Sequence, residues 1–182
     1  MQIIGLAGRA GSGKSEAAKI IASCYPDGAC RVLPFAAPLK ELCCTGFGWD
    51  GKKDARGRRL LQVVGTDAGR AYNPNIWVEK WTYAALHSSY RTKCIIADDV
   101  RFENECGAVR SVGGVVWRID RPDTVVTGEV PHVSERPLPA ALIDATVRND
   151  GSIHKLHYVI LERIKRLLKG GNAQANASER SE

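Results

Sequence analysis

Short apolar runs alternate with amphipathic stretches along most of the chain. Residues 1–7 (MQIIGLA) are a continuous apolar run and predict a buried strand. A glycine-rich turn follows, and residues 14–24 predict a helix packed through Ala17, Ala18, Ile20, Ile21 and Ala22. Residues 31–35 predict a second short strand, with Pro34 pointing to a sheet edge or strand end. Residues 39–44 predict a helix, since Pro38 suits a first helical turn. Helices are also expected over 59–64 and 76–86. Residues 93–97 (KCIIA) form another buried-strand pattern that ends on Asp98 and Asp99. A helix over 104–112 is broken by Gly113 and Gly114, then a strand over 115–119 follows. A last short strand at 145–148 precedes the turn Asn149-Asp150-Gly151.

The final helix has the clearest periodicity. Ile153, Leu156, Ile160, Ile164 and Leu167 recur at three- and four-residue steps, while Lys155, Arg163, Lys165 and Arg166 face away. Gly170-Gly171 predicts its end, and residues 170–182 read as a polar, disordered tail. Strands alternating with helices define an α/β class with a mostly parallel sheet and helices on both faces. No repeat or linker divides residues 1–169, which predicts a single domain. Two segments resist the pattern. Residues 50–59 (DGKKDARGRR) carry five basic side chains and two acids and read as mobile or solvated. Residues 121–139, rich in Pro, Thr and charge, read as a long loop.

Composition narrows the classes. No stretch approaches the roughly 18 apolar residues of a membrane span. The first residues lack the basic region, apolar stretch and cleavage site of a secretory leader. Lys and Arg total 26 against 20 acids, a formal +6, which favours anionic partners such as nucleotides or nucleic acid without choosing between them. The six cysteines contain no C-x-x-C pair, and Cys43 and Cys44 are adjacent. They read as reduced, partly buried thiols of a cytoplasmic protein.

The chemistry begins at residues 8–15, GRAGSGKS, which match G-x-x-x-x-G-K-[ST] in full between an apolar strand and a helix. Gly8, Gly11 and Gly13 permit backbone angles closed to other residues. The N–H groups of the loop, Ala10 and Ser12 included, then form an anion cradle, and the helix adds its positive end. Lys14 reaches the terminal phosphates, and the Ser15 hydroxyl suits Mg²⁺. The expected fold is therefore the three-layer P-loop NTPase fold, with ATP and Mg²⁺ implied. No guanine-reading N-K-x-D motif is present, and a motor-type ATPase needs a longer chain. A compact kinase is the simplest remaining choice.

Further segments carry a resemblance. They are residues 35–41 (FAAPLKE), 62–70 (QVVGTDAGR) followed by Trp77, 99–105 (DVRFENE), 132–135 (HVSE) and 143–151 (IDATVRNDG). With the phosphate loop, and in this order over residues 1–168, they resemble the bacteriophage-type deoxynucleoside monophosphate kinases, relatives of the adenylate-kinase-like enzymes. The resemblance implies ATP-dependent phosphorylation of a deoxynucleoside 5′-monophosphate (dNMP), acceptor-binding helices, a lid at 121–139 and a homodimer. For a phage-encoded chain the place of action is the host cytoplasm.

The resemblance also implies residue roles. Lys14, Arg121 and Asp99 are catalytic candidates, with Arg136 a second arginine of the lid. Arg101, Arg70, Lys40, Gln62, Trp77, Asn104 and Glu105 are acceptor-side candidates. Ser15, Asp98 and Asp99 are metal candidates, with Asp99 weighted above Asp98. Asn149 and Gly151 fall where the relatives' last strand passes the adenine ring. His132, Ser134 and Glu135 lie too close in sequence to read as a hydrolytic triad, which needs convergence in space. Two alternatives stay open: a kinase acting on a modified base within DNA, suggested by the charge and residues 50–59, and a nucleotide-binding module without transferase activity.

Overall fold

The computed structural model describes residues 1–122 and 137–178. Its elements are β1 (Gln2–Ala7), α1 (Lys14–Ser23), β2 (Cys30–Val32), α2 (Ala37–Phe47), α3 (Ala55–Gln62), a π-helical segment (Val63–Arg70) and α4 (Ile76–Leu86). After these come β3 (Cys94–Val100), α5 (Glu103–Ser111), β4 (Val115–Asp120), a 3₁₀ turn (Ala140–Leu142), β5 (Ala145–Arg148) and α6 (Ile153–Ser178). The five strands form one sheet of order β2-β3-β1-β4-β5, and every neighbouring pair is parallel.

β1 lies at the centre, and it is buried from Ile3 through Ala7. A central parallel strand is covered on both faces, so it reads as an unbroken apolar run rather than an alternating one. Its side chains still divide by face. Ile4 and Leu6 pack with Ala17 and Ile21 of α1 and with Leu156, Ile160 and Ile164 of α6. Ile3 and Ala7 pack on the other face with Trp81 of α4 and with Ala108 and Val109 of α5. Each aliphatic side chain so buried contributes roughly 1.5–3 kcal/mol. A third, smaller cluster of Leu39, Cys43 and Trp77 joins α2 to α4 beside the π-helical segment.

Several expected boundaries held and others moved. β2 is an edge strand that stops before Pro34, as the proline suggested. β3 continues past residue 97 through both aspartates to Val100. The segment read as mobile at 50–59 is partly helical. Asp54 caps α3, its Oδ1 accepting from Gly57 N at 2.8 Å, so the helix starts at residue 55 rather than 59. α6 runs through Gly170-Gly171 to Ser178 instead of stopping there. Glycine lowers helix propensity by about 1 kcal/mol relative to alanine but leaves the backbone bonds intact. Ala173, Ala175 and Ala177 then favour continuation. All six cysteines are free thiols. Among the described residues no helix is long and apolar enough to cross a membrane.

Candidate active site

The loop after β1 turns on glycines with positive φ, +141° at Gly8, +75° at Gly11 and +99° at Gly13. Two of these positions are also crowded. A Cβ at Gly8 runs into the Ile119 carbonyl, and one at Gly13 lies 2.5 Å from Asn149 Nδ2. Angle and space therefore both require glycine. α1 begins at Lys14 with no side chain capping its first turn, so its leading N–H groups face the loop. Ser12 is 1% exposed, and its Oγ has no hydrogen-bond partner among the described residues. Asn149, just after β5, closes the arrangement. Its Nδ2 donates to Ser12 O at 2.9 Å and its backbone N donates to Asp120 O at 2.7 Å.

Lys14 folds over this loop, its Nζ donating to Gly8 O at 2.8 Å and Arg9 O at 2.7 Å. Burial, reinforced by the Arg101 guanidinium, pushes the ammonium down to about 8, while Asp98 and Asp99 pull the other way. These groups thus share one field at the C-terminal ends of β1 and β3, where an open parallel sheet binds ligands. Lys40 of α2 belongs to the same region and favours the charged form of Asp99. Among the described residues the side chains of Arg101 and Lys40 form no hydrogen bond or ion pair, so both cations are available to an anion.

The two aspartates differ. Asp99 spends both oxygens on backbone: Oδ1 accepts from Phe35 N at 2.8 Å and Oδ2 from Ala36 N at 3.0 Å. It thereby holds the residues that lead into α2. Burial nonetheless pushes its carboxyl up from the ordinary range. The Asp98 side chain has no hydrogen bond among the described residues and influences Lys14 more strongly than Asp99 does. Of the two metal candidates, Asp98 is therefore the one whose side chain is uncommitted.

Among the described residues no three His, Cys, Asp or Glu side chains are grouped to hold a metal ion. A cation held by one hydroxyl, water and phosphate oxygens needs no such cage. The exposed Ser15 on the first turn of α1 and the uncommitted Asp98 suit that donor set. The orphaned Ser12 hydroxyl and the uncapped helix end likewise suit a bound phosphate chain.

The acceptor-side candidates form a second cluster. Arg70, at the end of the π-helical segment, donates from Nη2 to Glu105 Oε1 at 2.6 Å and stacks 3.8 Å above the Phe102 ring centroid. Glu105 Oε2 accepts from Arg101 N at 2.7 Å and Phe102 N at 3.1 Å. Asn104 Nδ2 donates to Pro74 O and to Asn75 Oδ1, each at 2.9 Å, fastening the loop before α4 to α5. Trp77 is 4% exposed, and its Nε1 donates to Gly65 O at 2.9 Å. Its ring belongs to the third core cluster. Gln62 is partly exposed at the end of α3, Gly151 is exposed beyond β5, and Arg121 is exposed just past β4. Arg136, His132, Ser134 and Glu135 lie outside the described residues. Sequence reasoning assigned no task to Phe102, although it sits inside DVRFENE. An aromatic between two acceptor-side candidates was the available signal.

A parallel sheet with a glycine loop between its central strand and an uncapped helix defines the P-loop nucleotide-binding fold. In agreement, the chain resembles the solved structure of an APS kinase from Mycobacterium tuberculosis, with TM-score 0.50 and 14% identity over 90% of this chain and 96% of that one. The chain belongs to the deoxynucleotide monophosphate kinase family, whose profile matches residues 49–160. The phosphate loop lies outside that segment, so loop and profile are separate observations. A protein of Acanthamoeba polyphaga mimivirus, provisionally named a deoxynucleotide monophosphate kinase, is 29% identical over 88% of this chain and 95% of its own length. The deoxynucleotide monophosphate kinase of Enterobacteria phage T4 is 31% identical over 62% of this chain and 45% of its own length. That of Escherichia phage RB69 is 30% identical over 60% of this chain. This chain thus spans about half the length of the two phage enzymes.

Proposed function

We propose that the protein transfers the terminal phosphoryl group of ATP to the 5′-phosphate of a dNMP, giving ADP and the deoxynucleoside diphosphate. The observation that carries this reading is the convergence of Lys14, Arg101 and Lys40 beside the phosphate loop. Transfer between two polyanions needs positive charge and alignment more than covalent help. Loop amides and the α1 end hold the donor phosphates. Lys14 exchanges the carbonyls of Gly8 and Arg9 for phosphate oxygens and follows charge as a point cation. Ser15 and Asp98 would hold Mg²⁺, which would supply charge neutralisation to the phosphate oxygens.

On the acceptor side, Arg101, Lys40 and the partly exposed edge of Arg70 receive the 5′-phosphate. That group is already mostly ionised at neutral pH, with a second pKa of about 6, so no general base is required. Its oxygen forms the new P–O bond as the β,γ-bridging bond breaks, and ADP leaves with the electron pair. Arg121, just past β4, would add positive charge for the transferred group, while most of the expected lid at 121–139 lies outside the described residues.

The test is direct. The protein is incubated with ATP, Mg²⁺ and each dNMP, and separately with duplex DNA. ADP release stimulated by at least one dNMP, with matching diphosphate, is the expected result. Release stimulated by DNA alone selects the polymer acceptor. Tight ATP binding with no acceptor-dependent turnover selects a binding module.

A further inference from the structure

We infer that Glu105 is the positioning residue of the acceptor half: one buried carboxylate sets both Arg70 and the backbone that carries Arg101, without touching the nucleotide. This rests on the phosphoryl-transfer reading above and goes beyond it. The resemblance set Glu105 among the groups that contact the acceptor, and the geometry gives it a different task. The Glu105 side chain is 3% exposed, and the Arg70 side chain paired with it 14%. Both carboxylate oxygens are engaged, one by a guanidinium 35 residues away in sequence and the other by two consecutive amides at the start of α5. Three of its roughly four acceptor sites are taken, and burial at 3% exposure keeps the remaining one from a base or a sugar hydroxyl.

The arrangement has a specific mechanical content. Arg70 lies between a carboxylate and the Phe102 face, so its planar group is fixed in distance and in tilt. Phe102 is itself held by Glu105 through its amide. The carboxylate therefore fixes the cation, the ring beneath it and the adjoining residue that bears the second cation. An arginine placed in advance loses less freedom when a phosphate arrives, and that gain belongs to the acceptor alone. Among the described residues Lys14 and the phosphate loop make no hydrogen bond with this cluster and meet it only through the charge of Arg101, so the larger effect falls on the acceptor.

The experiment is steady-state kinetics of Glu105→Gln with ATP and each dNMP, beside wild type, Arg70→Met and the Arg70→Met/Glu105→Gln double variant. Expected for Glu105→Gln is a rise of tenfold or more in KM for the dNMP. KM for ATP stays within twofold, and the ranking of the four dNMPs is unchanged. Glu105→Asp, one methylene shorter, is expected to fall between wild type and Glu105→Gln. The double variant is expected to lose less than the product of the two single effects, because either substitution alone removes the placement of Arg70, while the hold on the Arg101 and Phe102 amides is lost only with Glu105. If Glu105→Gln does not fold, Glu105→Asp decides in its place, and an unshifted KM for the dNMP in that variant overturns the role. A changed ranking of the dNMPs overturns it in favour of direct base reading. Equal rises in both KM values, or unchanged KM values with a smaller folded fraction, reduce Glu105 to a purely structural group. Absent wild-type turnover overturns the kinase reading and this role with it. Normal wild-type turnover with an unshifted Glu105→Gln overturns this role alone.

Discussion

Asn149→Ala removes one side-chain bond, and its consequences separate two readings of the end of β5. In the native chain Nδ2 donates to Ser12 O at 2.9 Å, while the backbone bond from Asn149 N to Asp120 O does not depend on the side chain. Ser12 is almost fully buried, so truncation leaves its carbonyl short of a partner in a site that solvent barely reaches. A buried polar group left unpaired costs about 1–3 kcal/mol. If about 1–2 kcal/mol of this appears as loosening of the phosphate loop, nucleotide affinity falls roughly 5–30-fold. The assay is calorimetric titration of wild type and Asn149→Ala with ATP, GTP and inorganic tripolyphosphate, each with Mg²⁺. A loop clamp predicts similar losses for all three ligands and an unchanged ATP-to-GTP preference. Unchanged tripolyphosphate affinity with a collapsed ATP-to-GTP preference refutes the reasoning and makes Asn149 an adenine contact.

The remaining predictions concern the acidic groups. Burial pushes Glu105 up to about 7 from 4.5, against the pull of the Arg101 and Phe102 amides and of Arg70, with Asp99 adding to the rise. Its folded pKa lies above its unfolded one, so the associated stability is complete below pH 4.5 and is lost as pH rises toward 7. At about 1.4 kcal/mol per pH unit the difference reaches about 3 kcal/mol. Denaturant titrations of wild type and Glu105→Gln between pH 4.5 and 8 are expected to show the wild type losing its relative advantage as pH rises, and a flat difference contradicts this. Asp99→Asn is expected to lower stability by about 1–3 kcal/mol through the amides of Phe35 and Ala36, with little change in the Mg²⁺ concentration needed for half-maximal turnover. Asp98→Asn is expected to raise that concentration severalfold at nearly unchanged stability. The opposite pattern exchanges the two roles.

The phosphate loop was fully legible because its signal is local: eight consecutive residues whose glycines answer a backbone requirement, between a strand and a helix. The central strands were legible for a similar reason, since burial on both faces writes an unbroken apolar run such as Gln2–Ala7. The acceptor half was harder. Its groups meet across long sequence separations, and a sequence does not show which oxygen faces which donor. DVRFENE marks a segment rich in polar candidates, yet the contacts of Asp99, Asn104 and Glu105 depend on Phe35, Pro74 and Arg70, which lie far away in the chain. Trp77 shows the same limit, because its partner is a carbonyl of a π-helical turn that no periodicity announced. The start of α3 was missed because the charge of residues 50–59 outweighed one local sign, the cap at Asp54. The end of α6 was placed too early because two glycines were read as a stop.

The account depends on the loop at residues 8–15 holding the phosphates of the donor. The most direct measurement is ADP release from ATP and Mg²⁺ under saturating dNMP, comparing wild type with Lys14→Ala, alongside thermal unfolding of both. The account predicts a loss of turnover on the order of a thousandfold in the variant, with a melting temperature close to that of wild type. Near-normal turnover by a folded Lys14→Ala protein contradicts it.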